Sequence, residues 1–384
     1  MCLKFVVTCP VVYQDPRSSL LFKLWLWCLG DILSEETYYT DLANLNGDVD
    51  YSLYGVEVKV NGYNEKQYQF TKDLTKRMVN FKIDKTRYDV VLASLMEALT
   101  DHALSQPISL CPYYYQLIVS DKTWSKKQLL AECDTVTLED VQNFVKEMFS
   151  AFHLEIFVYG NSTEKEALEL SKELVEILKT ASPNPRPLYR NEHCRRREVQ
   201  LNNGDEYIYR HLQTTHDIGC VDVSYQIGVQ NTNDYAVLSL IDHLIEEPAF
   251  DTLRTKEALG YTVRSEFGSN CGVLFLSIIV QGPNSVDHVL ERIEVFLETV
   301  RKEIEEMSQE EFEKQVSGVI SELEMKPKTL SAQFHRFWYQ IKCRQYDFAD
   351  PEAEVNVLKT IKKEEVLAFY DRQEMLTLFQ SKEV

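Results

Sequence analysis

The 384-residue sequence predicts an α+β fold made of two homologous domains, and three observations support this prediction. Two stretches about 220 residues apart resemble each other. Each of them alternates short apolar strands with amphipathic helices, and a proline-rich segment lies between them. The length agrees with this division, because single hydrophobic cores usually stop growing at roughly 300 residues.

The internal repeat is clearest in two helical segments. Thr135–Phe144 matches Thr360–Phe369, and Tyr113–Leu117 matches Phe337–Ile341, both at nearly the same spacing. Glycine-containing turns further upstream match at slightly smaller spacings. Such a slow drift is typical of a duplicated domain with small loop insertions.

Each repeat predicts the same order of elements. A strand leads to a long helix, a second strand and two further helices, and Ser308 with Glu311 forms a capping box at the start of one of them. The sequence therefore predicts antiparallel sheets covered by helices. In the first repeat these elements span 3–7, 19–45, 51–60, 65–81 and 84–102, and in the second 221–227, 234–258, 273–281, 285–307 and 308–325.

The repeats differ at their ends. Residues 153–160 and 162–178 predict a closing strand and helix in the first repeat, whereas the second repeat stops near the place of its matching strand. Residues 198–210 predict an opening strand that the first repeat lacks. We therefore expect each sheet to lack one strand and to have an open edge, which tends to pair with another chain.

The amino-acid composition near residue 195 indicates the boundary between the domains. Three prolines within residues 183–187 and three arginines at 195–197 indicate a linker. The predicted domains are 1–194, which lacks its first strand, and 195–384, which lacks its last strand.

Composition excludes several classes of partner. The chain has 60 acidic and 41 basic residues, and nucleic-acid binding depends on clustered basic side chains. No apolar stretch is long enough to span a bilayer. The nine cysteines follow no metal-finger or disulfide spacing, so we expect reduced thiols and a cytoplasmic protein that binds neither nucleic acid nor membrane.

The sequence contains no complete active site. None of its eight histidines lie four residues apart, so H-E-x-x-H and H-x-x-E-H are both absent. The nearest approach is His243 with Glu246 and Glu247, which is more simply interpreted as a half-buried histidine beside an acidic helix end. No nucleophile elbow, cysteine signature or glycine-rich phosphate loop occurs either. We therefore predict no metal ligand in this chain.

One segment, Glu246–Tyr261, carries two candidate site residues. Arg254 and Tyr261 are seven residues apart with Gly260 between them, so both could face one cleft as donors to a carbonyl oxygen or its oxyanion. From the residues alone, a surface arginine and a packing tyrosine are the simpler interpretation.

This segment, together with Leu53–Asn64 and Lys326–Ser331, resembles the C-terminal half of the insulin-degrading-enzyme family, the pitrilysin-type inverted zincins. The resemblance covers nearly the whole chain in order. It implies a metallopeptidase fold in which four homologous α+β domains enclose a substrate chamber and the first domain carries H-x-x-E-H. This chain is similar to the third, middle domain and the fourth, C-terminal domain.

The resemblance also implies roles for four residues. Arg254 and Tyr261 match the pair that reaches the active site and donates to the substrate carbonyl in the transition state. Lys326 and Lys328 match part of a site for polyanions such as ATP. A third lysine of that site is replaced here by Thr329.

The implied function is that of an insulin-degrading-enzyme-like zinc-metallopeptidase chain without its zinc-binding half. We expect it to bind peptides, to be catalytically incomplete alone, and to use zinc only when a partner chain supplies it. The partner would be a zinc-carrying homologous half or a second copy. Two alternatives remain open: a non-enzymatic regulatory or binding pseudoenzyme, and a partial gene product.

Overall fold

The structure is a computed structural model that describes residues 1–52, 54–193, 195–202, 207–372 and 378–381. The strands within these ranges are β1 (Cys2–Thr8), β2 (Asn46–Tyr51), β3 (Gly55–Asn61), β4 (Ala151–Tyr159), β5 (Arg186–Pro187), β6 (Tyr209–Arg210), β7 (Gly219–Val229), β8 (Thr262–Asn270), β9 (Val273–Gly282) and β10 (Leu378–Ser381).

The α-helices are α1 (Pro16–Leu42), α2 (Asn64–Val79), α3 (Lys85–Asp101), α4 (Pro107–Val119), α5 (Lys126–Glu132), α6 (Leu138–Met148), α7 (Glu164–Lys179), α8 (Thr232–Ala249), α9 (Val286–Glu306), α10 (Gln309–Leu323), α11 (Leu330–Lys342), α12 (Asp350–Leu358) and α13 (Lys363–Arg372). A π-helix, Phe250–Lys256, continues α8. The order confirms the predicted duplication, because β1, α1, β3, α2 and α3 recur as β7, α8, β9, α9 and α10.

The chain divides into two compact units. Unit 1 comprises Met1–His102, Lys122–Arg196 and Pro327–Arg344, and unit 2 comprises the remainder. Each unit therefore contains one segment from the other repeat, namely α11 in unit 1 and α4 in unit 2.

The sheet of unit 1 has the strand order β2-β3-β1-β4-β5. β1 is central and runs antiparallel to both neighbours, so that Phe5 lies opposite Val58 on β3 and Ile156 on β4. One face of the sheet packs on α1, where Phe5 and Trp25 are fully buried. Burial of these large apolar side chains is the main stabilising contribution.

The sheet of unit 2 has the order β6-β10-β7-β9-β8. β7 and β9 are antiparallel, with a bulge between Gln226 and Gly228. α8 covers this sheet with a continuous row of buried side chains that includes Leu240 and Ile241. β8 ends the sheet and carries the candidate site at its start.

The exchanged helices are a feature that the sequence did not predict. In unit 1, Phe334 and Trp338 of α11 pack on Val6 of β1. In unit 2, Cys111 of α4 packs on Cys220 of β7. The predicted domain boundary, between residues 194 and 195, separates the two repeats. The boundary between the compact units lies close by, between Arg196 and Arg197, but each unit also contains one helix of the other repeat.

The ends of the repeats also differ from the prediction. Of residues 198–210, those that the structure describes contribute an isolated bridge at Glu198 and the two-residue β6, and residues 203–206 of the predicted strand lie outside the described residues. The last strand, which we expected to be missing, is present as the four-residue β10, paired with β7. The linker prolines contribute β5, which pairs with β4.

Two further strands were not predicted, β2 and β8. β2 is mostly exposed and contains Gly47, Asp48 and Asp50, so it lacks the apolar alternation of a half-buried strand. β8 likewise has a single buried residue, Val263. Both lie at sheet edges, where apolar patterning is weakest.

No helix in the described ranges is long and apolar enough to cross a membrane. The eight cysteines that the structure describes are all free thiols, and five of them are buried.

Candidate active-site segment

The candidate site begins where α8 changes its hydrogen-bonding pattern. Pro248 lies in the last turn of α8 and has no N–H for the carbonyl of Leu244. Beyond Ala249 the chain continues as the π-helix Phe250–Lys256 instead of the α-helix predicted to residue 258. Single π-helical turns of this kind occur most often at functional sites.

The segment then returns to the sheet by a close approach of two backbones. The amide of Leu259 donates to the carbonyl of Leu253 over 2.9 Å. A Cβ on Gly260 would overlap the carbonyl oxygen of Gln281 on β9, so only glycine fits there. This glycine places Tyr261 immediately before β8.

The structure brings Arg254 and Tyr261 together. The guanidinium carbon of Arg254 lies 4.5 Å from the centroid of the Tyr261 ring and 4.6 Å from that of Phe250. Tyr261 is 82% exposed and Phe250 is 46% exposed. The two rings hold the guanidinium of the half-buried Arg254 by cation–π contacts.

Neither candidate donor is engaged by another group in the described part of the chain. No carboxylate of a described residue lies within ion-pair distance of Arg254, and the Tyr261 hydroxyl makes no hydrogen bond to a described residue. An arginine offers five N–H donors in a fixed plane and a tyrosine adds one O–H donor. The pair can therefore donate hydrogen bonds to a carbonyl oxygen or an oxyanion presented from solvent.

A salt bridge holds the C-terminal end of the π-helix. Two of the three nitrogens of the Arg292 guanidinium, Nε and a terminal one, donate over 2.7 Å to the two carboxylate oxygens of Glu257. These hydrogen bonds lower the pKa of Glu257 below its usual value of 4.5. Because Arg292 lies on α9, the pair ties the segment that carries Arg254 to a neighbouring long helix.

The described residues of this chain offer no set of ligands that fits a zinc site. No group of three or more His, Cys, Asp or Glu side chains in the described ranges is placed to hold a metal ion. Nε2 of His243 faces Gly318 of α10, where a Cβ would lie 3.4 Å away. His243 therefore packs against a helix, and together with Glu246 it does not complete a metal site.

Lys326 and Lys328 lie in the loop between α10 and α11. Both side chains are exposed, and neither forms an ion pair with a described residue. Thr329, where the resemblance implies a third lysine, caps α11 by accepting a hydrogen bond from the amide of Ala332. Thr329 thus has a structural role at this position.

Sequence reasoning missed three residues of the site, Phe250, Glu257 and Arg292. Phe250 could have been found, because it is four residues before Arg254, one turn along a helix. Glu257 and Arg292 are 35 residues apart on different elements, so no local pattern signals their pairing.

Comparisons with known protein families agree with this architecture. Residues 1–132 match the profile described as the middle or third domain of peptidase M16, and residues 135–319 match the peptidase M16 inactive domain. The crystal structure of pitrilysin superimposes with a TM-score of 0.87 at 16% identity, covering 99% of this chain and 40% of that one. The M16 inactive domain from Pseudomonas fluorescens superimposes with a TM-score of 0.72 at 11% identity, covering 100% and 92%.

Curated relatives show closer sequence similarity. A Caenorhabditis elegans protein described as a zinc protease is 49% identical over 97% of this chain and 42% of its own length. Human insulin-degrading enzyme is 34% identical over 98% of this chain and 37% of its own length. The chain thus spans about two fifths of these relatives. It belongs to the peptidase M16 family and corresponds to the C-terminal half of the insulin-degrading-enzyme and pitrilysin-like proteins.

Proposed function

We propose that this chain is the non-zinc half of an M16 metallopeptidase, which binds peptides and supplies Arg254 and Tyr261 as donors to the scissile carbonyl. The observation that carries the proposal is the placement of Arg254. Its guanidinium lies against the rings of Phe250 and Tyr261 and is bound to no carboxylate of the described residues. Its N–H donors are therefore available to a substrate carbonyl.

The proposed chemistry divides between two halves. The zinc-carrying half supplies the metal and the attacking water. Arg254 and Tyr261 orient the substrate carbonyl and donate hydrogen bonds to the oxygen as it gains negative charge. Loss of such a donor typically lowers the rate about 10²- to 10³-fold.

Catalytic incompleteness follows from the same division. Donors to an oxyanion stabilise a transition state, but they do not generate a nucleophile. We therefore propose that the chain alone does not hydrolyse peptides and that it acts with a zinc-carrying M16 half, on the same or on another polypeptide. Free, mostly buried thiols favour a reducing compartment such as the cytoplasm.

The test is hydrolysis of a quenched fluorescent peptide by the purified chain with added zinc, alone and mixed with the zinc-carrying half of an insulin-degrading enzyme. We expect activity only in the mixture, abolished by a chelator. Activity of the chain alone that is lost in His243→Ala would contradict the proposal and assign a metal site to His243. If the mixture has no peptidase activity and the chain inhibits the activity of an intact relative, the result would instead support a regulatory pseudoenzyme.

A further inference from the structure

The edge of the sheet in unit 2 is open at β8. Among the described residues, only β9 pairs with this strand, along its full length from Thr262 to Asn270. In an antiparallel pair, alternate residues direct their N–H and C=O groups away from the partner. β8 therefore presents a row of free backbone donors and acceptors, which is a template for an added strand.

A cavity of about 530 Å³ lies beside this strand. The last turn of α8, residues 263–265 of β8, and parts of α9 and α10 form its walls, all within unit 2. Its volume lies within the range of about 300 to 1,000 Å³ that is usual for ligand sites. Leu244, Val263 and Ile304 supply apolar surface.

Carboxylates outnumber cations around the cavity. Four glutamates line it, and none of them forms an ion pair with a described residue: Glu246, Glu247, Glu303 and Glu322. The lining cation, Arg264, is bound to Glu266 over 3.5 Å. Lys256, which lies near Glu303, is bound to Asp251 over 2.7 Å.

We propose that this cavity, together with the free edge of β8, binds an extended peptide that carries a lysine or arginine side chain. The peptide adds as a strand to β8 and places one basic side chain in the cavity. The methylenes of that side chain cover the apolar wall, and its charge meets the four carboxylates. This site needs no zinc-carrying half, so it goes beyond the function proposed above.

The charge requirement is tested by peptide binding to the full chain. The probe is a fluorescein-labelled nine-residue peptide rich in threonine and valine with one central lysine, and matched peptides carry norleucine or glutamate there. We expect the lysine peptide to bind about tenfold or more tightly than the norleucine peptide at low salt, and this preference to shrink as salt is added. Equal affinities of the lysine and norleucine peptides would overturn the proposal.

The strand-addition requirement is tested with two N-methylated forms of the lysine peptide. One is methylated at alternate amides and the other at the remaining amides. Because an added strand uses only one set of amides, we expect one form to lose binding and the other to retain it. Equal behaviour of the two forms would contradict pairing with β8.

The location is tested by matched variants. Glu246→Gln with Glu303→Gln should remove most of the preference for lysine. Glu298→Gln with Glu310→Gln changes the net charge equally at exposed positions outside the cavity and should preserve it. A similar loss in both double variants would overturn the assignment to the cavity.

A further variant separates this site from the proposed catalytic role. Arg254→Ala with Tyr261→Phe should preserve or increase the preference for lysine in the isolated chain, because it removes a cation that contacts Phe250 of the cavity wall, even though it would abolish peptidase activity in the mixture. A lysine preference that vanishes in this variant would assign peptide binding to the Arg254 surface and overturn the cavity proposal.

Discussion

The guanidinium carbon of Arg254 lies 4.5 Å from the centroid of the Tyr261 ring and 4.6 Å from that of the Phe250 ring. A planar guanidinium can lie against aromatic faces in a way that the ammonium of lysine cannot. The two contacts therefore restrain the position of the donor.

Arg254→Lys should keep the charge but lose the stacked, planar donor. We expect the kcat of the chain mixed with a zinc-carrying half to fall about tenfold or more, since removing such a donor typically costs about 10²- to 10³-fold. The midpoint of thermal unfolding should change little, because the contacts are exposed. An unchanged kcat in steady-state kinetics would argue against a donor role for Arg254.

The pair Glu257–Arg292 should make stability depend on pH. The pKa of Glu257 is lower in the folded chain than its usual value of 4.5, because Arg292 donates hydrogen bonds to the ionised form. Its contribution is therefore fully present above pH 4.5 and is lost as the pH falls through the lower folded-state value.

We accordingly expect Glu257→Gln to lower the thermal midpoint at pH 7 and to have a smaller effect at pH 3. Thermal unfolding at both pH values checks this expectation. Glu298→Gln, which removes an exposed and unpaired carboxylate of α9, is the control and should show no such difference. A deficit in Glu257→Gln that persists at pH 3 would contradict the charge-based account.

Trp338→Ala tests the exchanged helix. Trp338 of α11 is 3% exposed and packs in the cluster that contains Val6 of β1. Truncating a buried tryptophan costs about 3 to 5 kcal/mol of unfolding free energy. Chemical denaturation should show this loss, whereas truncation of the neighbouring, 42% exposed Tyr339 should cost far less. Equal, small effects would mean that α11 is not part of the folded unit.

Thr329→Lys should have two opposite effects. It introduces the third lysine that the family resemblance implies for a polyanion site with Lys326 and Lys328, so binding of inorganic tripolyphosphate should become tighter. It also removes the cap of α11, which should lower the unfolding free energy by about 1 kcal/mol. Calorimetric titration and chemical denaturation measure the two effects. Thr329→Ser keeps the cap and should change neither quantity, and unchanged binding in Thr329→Lys would argue against the anion site.

Much of the fold was predictable because the signals are local. The apolar spacing placed α1, α2, α3, α7, α9 and α10 within about three residues, although α8 ends at Ala249 and not at the predicted residue 258. The capping box of Ser308 and Glu311 is present as predicted. The exchange of α4 and α11 was not predictable, because amphipathic spacing shows that a helix has an apolar face but not which sheet covers it.

The candidate site was predictable only in part. The spacing of Arg254 and Tyr261 suggested that both could face one cleft, but the π-helix that brings them together depends on Pro248 and on the approach of Gly260 to β9. The unpaired state of the four cavity glutamates depends on contacts between distant elements. No local sequence pattern indicates either feature.

The most direct test of the central claim compares two rates of peptide hydrolysis in the presence of a saturating zinc-carrying half. One uses the natural chain and the other uses Arg254→Ala with Tyr261→Phe, with the affinity between the halves measured for both. We predict unchanged affinity between the halves and a rate at least about 10²-fold lower for the variant. Equal rates would contradict the assignment of Arg254 and Tyr261 as transition-state donors.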